Sequence, residues 1–154
     1  MKVCIYTNGG GEGVLAADAI ESFGLEIPET PEHLKEKLKK ILPSFASLKN
    51  PIDTTAQASE DIYLEGLRIL LEDSYFDSIL AILLPQLPWY TEKFSEKFKE
   101  IYKKQKPLVF VIYGGYFAEK LTKSLETIVP VFKYPNQAAK AIWFLSIAYQ
   151  TFRI

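Results

Sequence analysis

Asn8-Gly9-Gly10-Gly11-Glu12-Gly13 is the stretch whose residue types and spacing most plainly allow chemistry. Before it runs Lys2-Val3-Cys4-Ile5-Tyr6-Thr7, apolar at four consecutive positions, the pattern of a strand covered on both faces. After it comes Val14-Leu15-Ala16-Ala17-Asp18-Ala19-Ile20, apolar at helical spacing and closed by Gly24 as a C-cap. Strand, glycine turn and helix together leave free backbone N–H groups and the positive end of a helix dipole at the carboxyl edge of a sheet. Physically that is an anion site. The turn alone does not choose the anion.

Other chemistries find less in the sequence. Gly11-Glu12-Gly13-Val14-Leu15-Ala16 has the spacing of a dinucleotide fingerprint, but only Glu26 and Glu29 follow as acidic candidates for a ribose. No Gly-Lys-Ser/Thr follows the turn, so the nucleotide P-loop pattern fails. His33 is the single histidine, set in a Glu/Lys helix without Cys or His beside it, which predicts an exposed surface residue and no metal site. No nucleophile relay can be built without it, so no catalytic residue is expected in this chain. Trp89-Tyr90 either stacks on a ligand or plugs a strand end or meets a partner. Asp18 reads as a solvated carboxylate and Asn50-Pro51-Ile52-Asp53 as a turn.

Around the turn, the 154 residues predict one domain over 1–154, with 48% hydrophobic and 24% charged side chains. Ten Phe and nine Tyr predict a tightly filled interior. A formal charge of −1 gives no footprint for nucleic acid or acidic lipid. Cys4 stands alone in its strand and reads as a small core residue. No apolar run reaches membrane-spanning length and the N-terminus enters a strand directly, so a cytoplasmic protein is expected.

The elements alternate. Leu25-Glu26-Ile27 reads as a brief second strand stopped by Pro28. Thr30 and Pro31 open an amphipathic helix with Leu34, Leu38, Ile41 and Leu42 on one face, ended by Pro43. A long connection, 44–58, precedes a helix capped by Ser59. Ser78–Leu84 is the strongest central strand, and Thr91 is expected to cap a helix reaching about Lys104. Pro107–Tyr113 is a further buried strand, followed by a helix to about Glu126, a short strand over 129–132 and a last helix from Pro135. This order predicts an α/β three-layer sandwich, a flavodoxin-like five-stranded parallel sheet of order 2-1-3-4-5. Ligands of such sheets sit outside the carboxyl ends, here at Asn8–Gly13, at the loop from Pro85 and Gln86 to Tyr90, and at Gly114-Gly115.

Thr7-Asn8-Gly9-Gly10-Gly11-Glu12-Gly13-Val14-Leu15-Ala16-Ala17-Asp18-Ala19 resembles the T-N-x-G-G-P-G-V-x-A-x-D-A segment of NDP-forming acyl-CoA synthetases, the ADP-forming acetate–CoA ligases. Ala46 to Asp53, Leu71-Glu72-Asp73, Pro85-Gln86, Lys106 to Gly115 and Val129-Pro130-Val131 follow in family order, so the resemblance covers essentially the whole chain. It is to the last, flavodoxin-like domain of the α part, itself related to the C-terminal domain of the succinyl-CoA synthetase β-subunit.

The resemblance implies a ligase passing through an acyl phosphate and a phosphohistidine, to which this domain contributes the helix N-terminus at Gly10–Gly13. It implies CoA and ADP/ATP with Mg in the assembled enzyme, none of them bound by this chain alone. The implied partners are the CoA-binding and phosphohistidine domains and an ATP-grasp subunit, with an oligomer as a further expectation. Glu12 stands where the family usually carries proline. A carboxylate there suits the helix dipole yet repels a phosphate by about 1 kcal/mol per contact. An independent module binding a small anion or nucleotide, and a structural interaction protein, stay open beside the ligase reading.

Overall fold

The computed structural model describes residues 1–85 and 89–152. Its sheet holds five parallel strands in the order β2-β1-β3-β4-β5. These are β1 (Val3–Thr7), β2 (Ile52–Asp53), β3 (Ser78–Leu83), β4 (Leu108–Ile112) and β5 (Val131–Phe132). Every residue of β1, β3 and β4 is buried, as their unbroken apolar sequences require in a sheet covered on both faces. The central register runs Val3 beside Ser78 through Thr7 beside Ile82, and Ile79 beside Leu108 through Leu83 beside Ile112.

One face is covered by α1 (Gly10–Ser22) and α6 (Pro135–Phe152). The other carries α2 (Glu32–Lys39), α3 (Glu60–Glu72), α4 (Phe94–Ile101) and α5 (Tyr116–Leu125). Their cores differ in character. Under α1 and α6 the packing is aliphatic, from Ile5, Ala16, Ile20, Ile82 and Ile142. Under α3 and α4 it is aromatic: Tyr6, Tyr63, Tyr90, Phe94, Phe98 and Phe110 meet tilted or edge to face with centroids 4.7–6.3 Å apart. Such pairs add about 0.5–1.5 kcal/mol each beyond the area they bury.

The strand order is as expected, but its second member is not. Leu25–Ile27 gives only one parallel bridge, Glu26 with Lys2, because Pro28 has no N–H to extend the ladder. The neighbour of β1 is instead Ile52–Asp53, paired with Tyr6 and Thr7. Between the two pieces the Asn50 side chain takes the place of a strand: its amide donates to the carbonyls of Val3 (2.8 Å) and Pro28 (3.0 Å), and Ile5 N–H donates back to it (2.9 Å). The expected turn at Asn50–Asp53 is therefore a cap on the edge of β1 that becomes β2.

Three helix starts also move. The first helix begins at Gly10, inside the glycine run rather than after it, and Gly24 follows its end at φ 70°. Pro31 rather than Thr30 precedes α2. Thr91 does not cap α4, since its N–H and hydroxyl bind the buried carboxylate of Glu60 (2.7 and 3.0 Å), holding 91–93 outside a helix that opens at Phe94. That helix stops at Ile101, where the Gln105 side chain takes the Ile101 carbonyl (2.9 Å) and the Lys103 N–H (2.8 Å). Ser59 caps α3 as expected, accepting from Ile62 N–H (3.4 Å).

Candidate functional site at the carboxyl edge

The site begins where β1 ends. Gly9 N–H donates to the Thr7 hydroxyl (2.9 Å), bending the chain sharply out of the strand. Asn8, buried beneath the turn, donates from its amide to the Leu84 carbonyl (3.0 Å) and the Tyr90 hydroxyl (3.2 Å), and Leu84 N–H donates to its Oδ1 (2.8 Å). One side chain thus fastens the exit of β1 to the exit of β3, across the switch point of the sheet.

The glycines have separate spatial reasons. A Cβ on Gly9 would sit 2.5 Å from Leu84 Cδ1 and 2.8 Å from Glu12 Oε2, so a side chain there makes the ends of those two side chains move aside. A Cβ on Gly13 would press on Thr7 Cγ2 (3.2 Å) and Pro51 Cβ (3.4 Å), where α1 crosses the entry to β2. At Gly10 it would meet Asp53 Oδ2 at 3.0 Å. At Gly11 it would meet nothing within 4 Å. Gly11 faces open space.

Gly9 is the N-cap of α1, and no side chain caps that end by hydrogen bonding. The first-turn N–H groups and the dipole are therefore presented at the edge. Glu12 is three residues past the cap, and its carboxylate folds back over Gly9. It also meets Tyr113, at the end of β4; burial pushes the Tyr113 phenol up from its ordinary range and the Glu12 carboxylate raises it further. No sequence signal marks Tyr113 as a member of this site, because only the fold brings it beside Glu12.

Gly114 and Gly115 lie next to it, exposed, between β4 and α5. Gly114 has φ 152° and Gly115 is the N-cap of α5, again with no side chain capping by hydrogen bonding. Two helix N-termini, those of α1 and α5, thus open on one edge. Pro85 is half-buried beside Leu84; Gln86 lies outside the described residues. A concavity of about 340 Å³ opens between α5 and β5, lined by Tyr113, Gly114, Lys123 and Lys133 among others, displaced from the glycine turn toward β5.

The remaining candidates separate cleanly. Tyr90 is a plug, fully buried with its hydroxyl on Asn8 and well above its usual pKa range through burial. Trp89 beside it is half-exposed. His33 stands at the opposite, amino edge of the sheet with its Nε2 2.8 Å from Asp73 Oδ2, so it joins α2 to the end of α3 and not to the turn. Among the described residues no group of three or more His, Cys, Asp or Glu is placed to hold a metal ion. Burial drives the Cys4 thiol far above its ordinary range, which makes it inert. Asp18 is exposed.

A doubly wound parallel sheet of order β2-β1-β3-β4-β5 with a clamped glycine turn at its switch point defines the class: a flavodoxin-like α/β domain. Comparison with known proteins narrows it. The Ligase-CoA domain family matches residues 3–153, and the chain belongs to that family. It is 34% identical over 151 residues to acetate–CoA ligase (ADP-forming) II subunit alpha of Pyrococcus furiosus, a match covering 94% of this chain and 33% of that one. It is also 34% identical over 145 residues to the isoenzyme I subunit alpha of the same organism, covering 92% and 31%.

Among solved structures, PH0766 of Pyrococcus horikoshii OT3 superposes with a TM-score of 0.91 at 32% identity, over 99% of this chain and 37% of that one. The dinucleotide-forming acetyl-coenzyme A synthetase 1 of Ca. Korarchaeum cryptofilum, in complex with phosphate and ADP, superposes with a TM-score of 0.84 at 27% identity, over 92% and 32%. The chain spans about a third of the length of these relatives. No described helix is long and apolar enough to cross a membrane.

Proposed function

We propose that this chain is a non-catalytic domain or split subunit of an NDP-forming acyl-CoA synthetase of the ADP-forming acetate–CoA ligase kind. In that role the N-terminus of α1 faces a phosphohistidine carried by a partner. The observation that carries the reading is the first turn of α1: its N–H groups are presented at the carboxyl edge, with Gly11 open and Asn8 fixing the turn from below. Backbone donors aimed at a phosphoryl group stabilise its charge without taking part in bond making.

The relatives' names supply the context. They are subunits of ADP-forming acetate–CoA ligases, so partner chains and the use of CoA and ADP belong to the assembled enzyme. The CoA-binding and phosphohistidine domains and the ATP-grasp subunit are the proposed partners, with Mg accompanying the nucleotide there. The edge also suits a protein partner: Val14 and Leu15 on α1, Trp89 after β3 and Tyr116 at the start of α5 are all more than half exposed near the turn. Large apolar groups gathered around a polar centre are what a docked surface covers.

Glu12 sets a condition on this role. Its carboxylate lies over the turn and against Tyr113, so a phosphoryl group approaches only if Glu12 swings outward or meets a cation from the partner.

Complementation tests the proposal. The chain alone, supplied with acetate, CoA and ATP, is expected to show no turnover, and adding chains that carry the CoA-binding, phosphohistidine and ATP-grasp parts is expected to restore it. Turnover by the isolated chain that survives His33→Ala contradicts the reading.

A further inference from the structure

A groove of about 430 Å³ opens between α4 and the end of α5. Ser95, Glu96 and Lys99 reach it from α4, Lys104 from the turn that follows, and Ser124 and Thr127 from the end of α5. None of these belongs to the glycine turn, and the role proposed for α1 uses none of them.

Two of the six are unexplained by the fold. Ser95 is only 3% exposed, yet its hydroxyl has no hydrogen-bond partner among the described residues. A buried hydroxyl left unpaired costs free energy, and a ligand that bonds to it removes that cost. Lys104 holds φ 59°, in the left-handed region where glycine or asparagine is the ordinary choice after a helix. The Gln105 side chain locks this turn through the Ile101 carbonyl (2.9 Å) and the Lys103 N–H (2.8 Å). Lys99 sits in the last turn of α4, where the helix dipole alone suits a cation. That account does not extend to Lys104 or Ser95.

Charge and donor type select the ligand. Neither Lys99 nor Lys104 forms a salt bridge among the described residues, and Glu96 is the one carboxylate among those lining the groove. The excess charge is positive, so the ligand is an anion. No arginine lines the groove, so the planar fork that grips a carboxylate by both oxygens is missing. Two ammonium groups, each a point charge, suit a phosphate instead. Thr127 and Tyr102 commit their hydroxyl protons to the Ser124 and Lys106 carbonyls (2.8 and 3.4 Å), which leaves those of Ser95 and Ser124 as donors. The groove also exceeds the ~300 Å³ at which small-molecule pockets begin, and Ile128 and the half-buried Tyr102 offer an apolar wall to the rest of a molecule.

We propose that the groove between α4 and α5 binds a phosphate monoester, whose oxygens meet the ammonium groups of Lys99 and Lys104 and the hydroxyls of Ser95 and Ser124. The inference does not depend on the phosphoryl-facing role of α1.

Amide resonances of the chain, titrated with inorganic phosphate, ribose 5-phosphate and acetate at constant ionic strength, test it. Ser95, Lys99, Lys104 and Ser124 are expected to shift saturably in the millimolar range, more tightly with ribose 5-phosphate than with phosphate, and to stay still with acetate. Lys99→Gln and Lys104→Gly are each expected to weaken binding about five-fold, the scale of one exposed charge pair. Ser95→Ala is expected to weaken it about three-fold, the loss of one hydrogen bond. Lys104→Gly relieves the left-handed backbone and Ser95→Ala removes a hydroxyl that bonds to nothing in the free chain, so neither lowers the urea unfolding midpoint. A merely structural role for these two residues gives the reverse, lost stability with unchanged affinity, and overturns the proposal. Shifts confined to Gly10–Gly13, or none, overturn it too. Groove shifts that acetate reproduces, or that survive all three substitutions, would mean an adventitious ion only. Ribose 5-phosphate binding no tighter than phosphate overturns the monoester.

Discussion

Asn8 holds both backbone groups of Leu84, donating to its carbonyl at 3.0 Å and accepting from its N–H at 2.8 Å. Two strand exits are thereby fixed at the point from which α1 departs, and the direction of the helix N-terminus follows from one side chain. Asn8→Ala removes these bonds together with the one to Tyr90 and leaves the half-buried backbone groups of Leu84 without this partner. A loss of about 2–4 kcal/mol is expected from the cost of leaving such groups unpaired, read from urea unfolding midpoints. A loss below about 0.5 kcal/mol would show that water satisfies the gap and that the clamp is not needed.

Asn50→Ala should behave alike at the other side of β1. Its amide is the only side chain shown reaching Val3, Ile5 and Pro28 together, and without it the middle of that edge has no backbone partner among the described residues. A destabilisation of about 2–4 kcal/mol is expected by the same measurement. Retention of native stability would mean that 25–28 and β2 close the gap by themselves.

Much of this fold is written openly in the chain and some of it is not. Strands β1, β3 and β4 are legible because a strand buried on both faces must be a continuous apolar run. β2 is not, because two residues carry no period, and its partner on β1 is half replaced by the Asn50 side chain. Glycine's low helix propensity hides that Gly10–Gly13 form the first turn of α1. Within the site, the glycine turn announces itself by composition. The meeting of Glu12 with Tyr113, and of Glu60 with Thr91, joins residues far apart in sequence and needs the fold to be seen. The same holds for Gly66, whose missing side chain leaves room for the Tyr6 hydroxyl.

Glu12→Pro installs the residue usual in the resembling family. Position 12 lies in the first turn of α1, where proline costs little, so stability is expected to stay within about 1 kcal/mol. With the carboxylate gone, sulfate should perturb the amide resonances of Gly10, Gly11 and Gly13 more strongly than in the native chain. Equal and negligible perturbation in both would make the loop a structural turn and end the phosphate-facing role.

At the amino edge, acid should loosen the tie between α2 and α3. Burial alone would raise the Asp73 carboxyl, but the Tyr75 N–H, the His33 ring and Lys37 outweigh it and hold it below the usual value of 3.8. A carboxyl lowered on folding contributes stability that is complete above its unfolded pKa and is lost as pH falls through the folded one. The stability advantage of the native chain over Asp73→Asn should therefore shrink as pH falls below about 4. An advantage that does not change down to about pH 2 would contradict this.

The phosphoryl-facing role of α1 is tested most directly at Gly11, where a side chain meets nothing in this chain. In the assembled ligase, the rate of histidine phosphorylation would be measured for the native chain, Gly11→Ala and Gly11→Asp. Aspartate in the first turn of a helix leaves the fold intact while setting a second negative charge where the phosphoryl group is to approach. Gly11→Asp is expected to slow phosphohistidine formation about 100-fold, the scale of losing one preorganised donor, with the unfolding midpoint unchanged and Gly11→Ala within a few-fold of native. Phosphohistidine forming at the native rate in Gly11→Asp would contradict the role assigned to this helix.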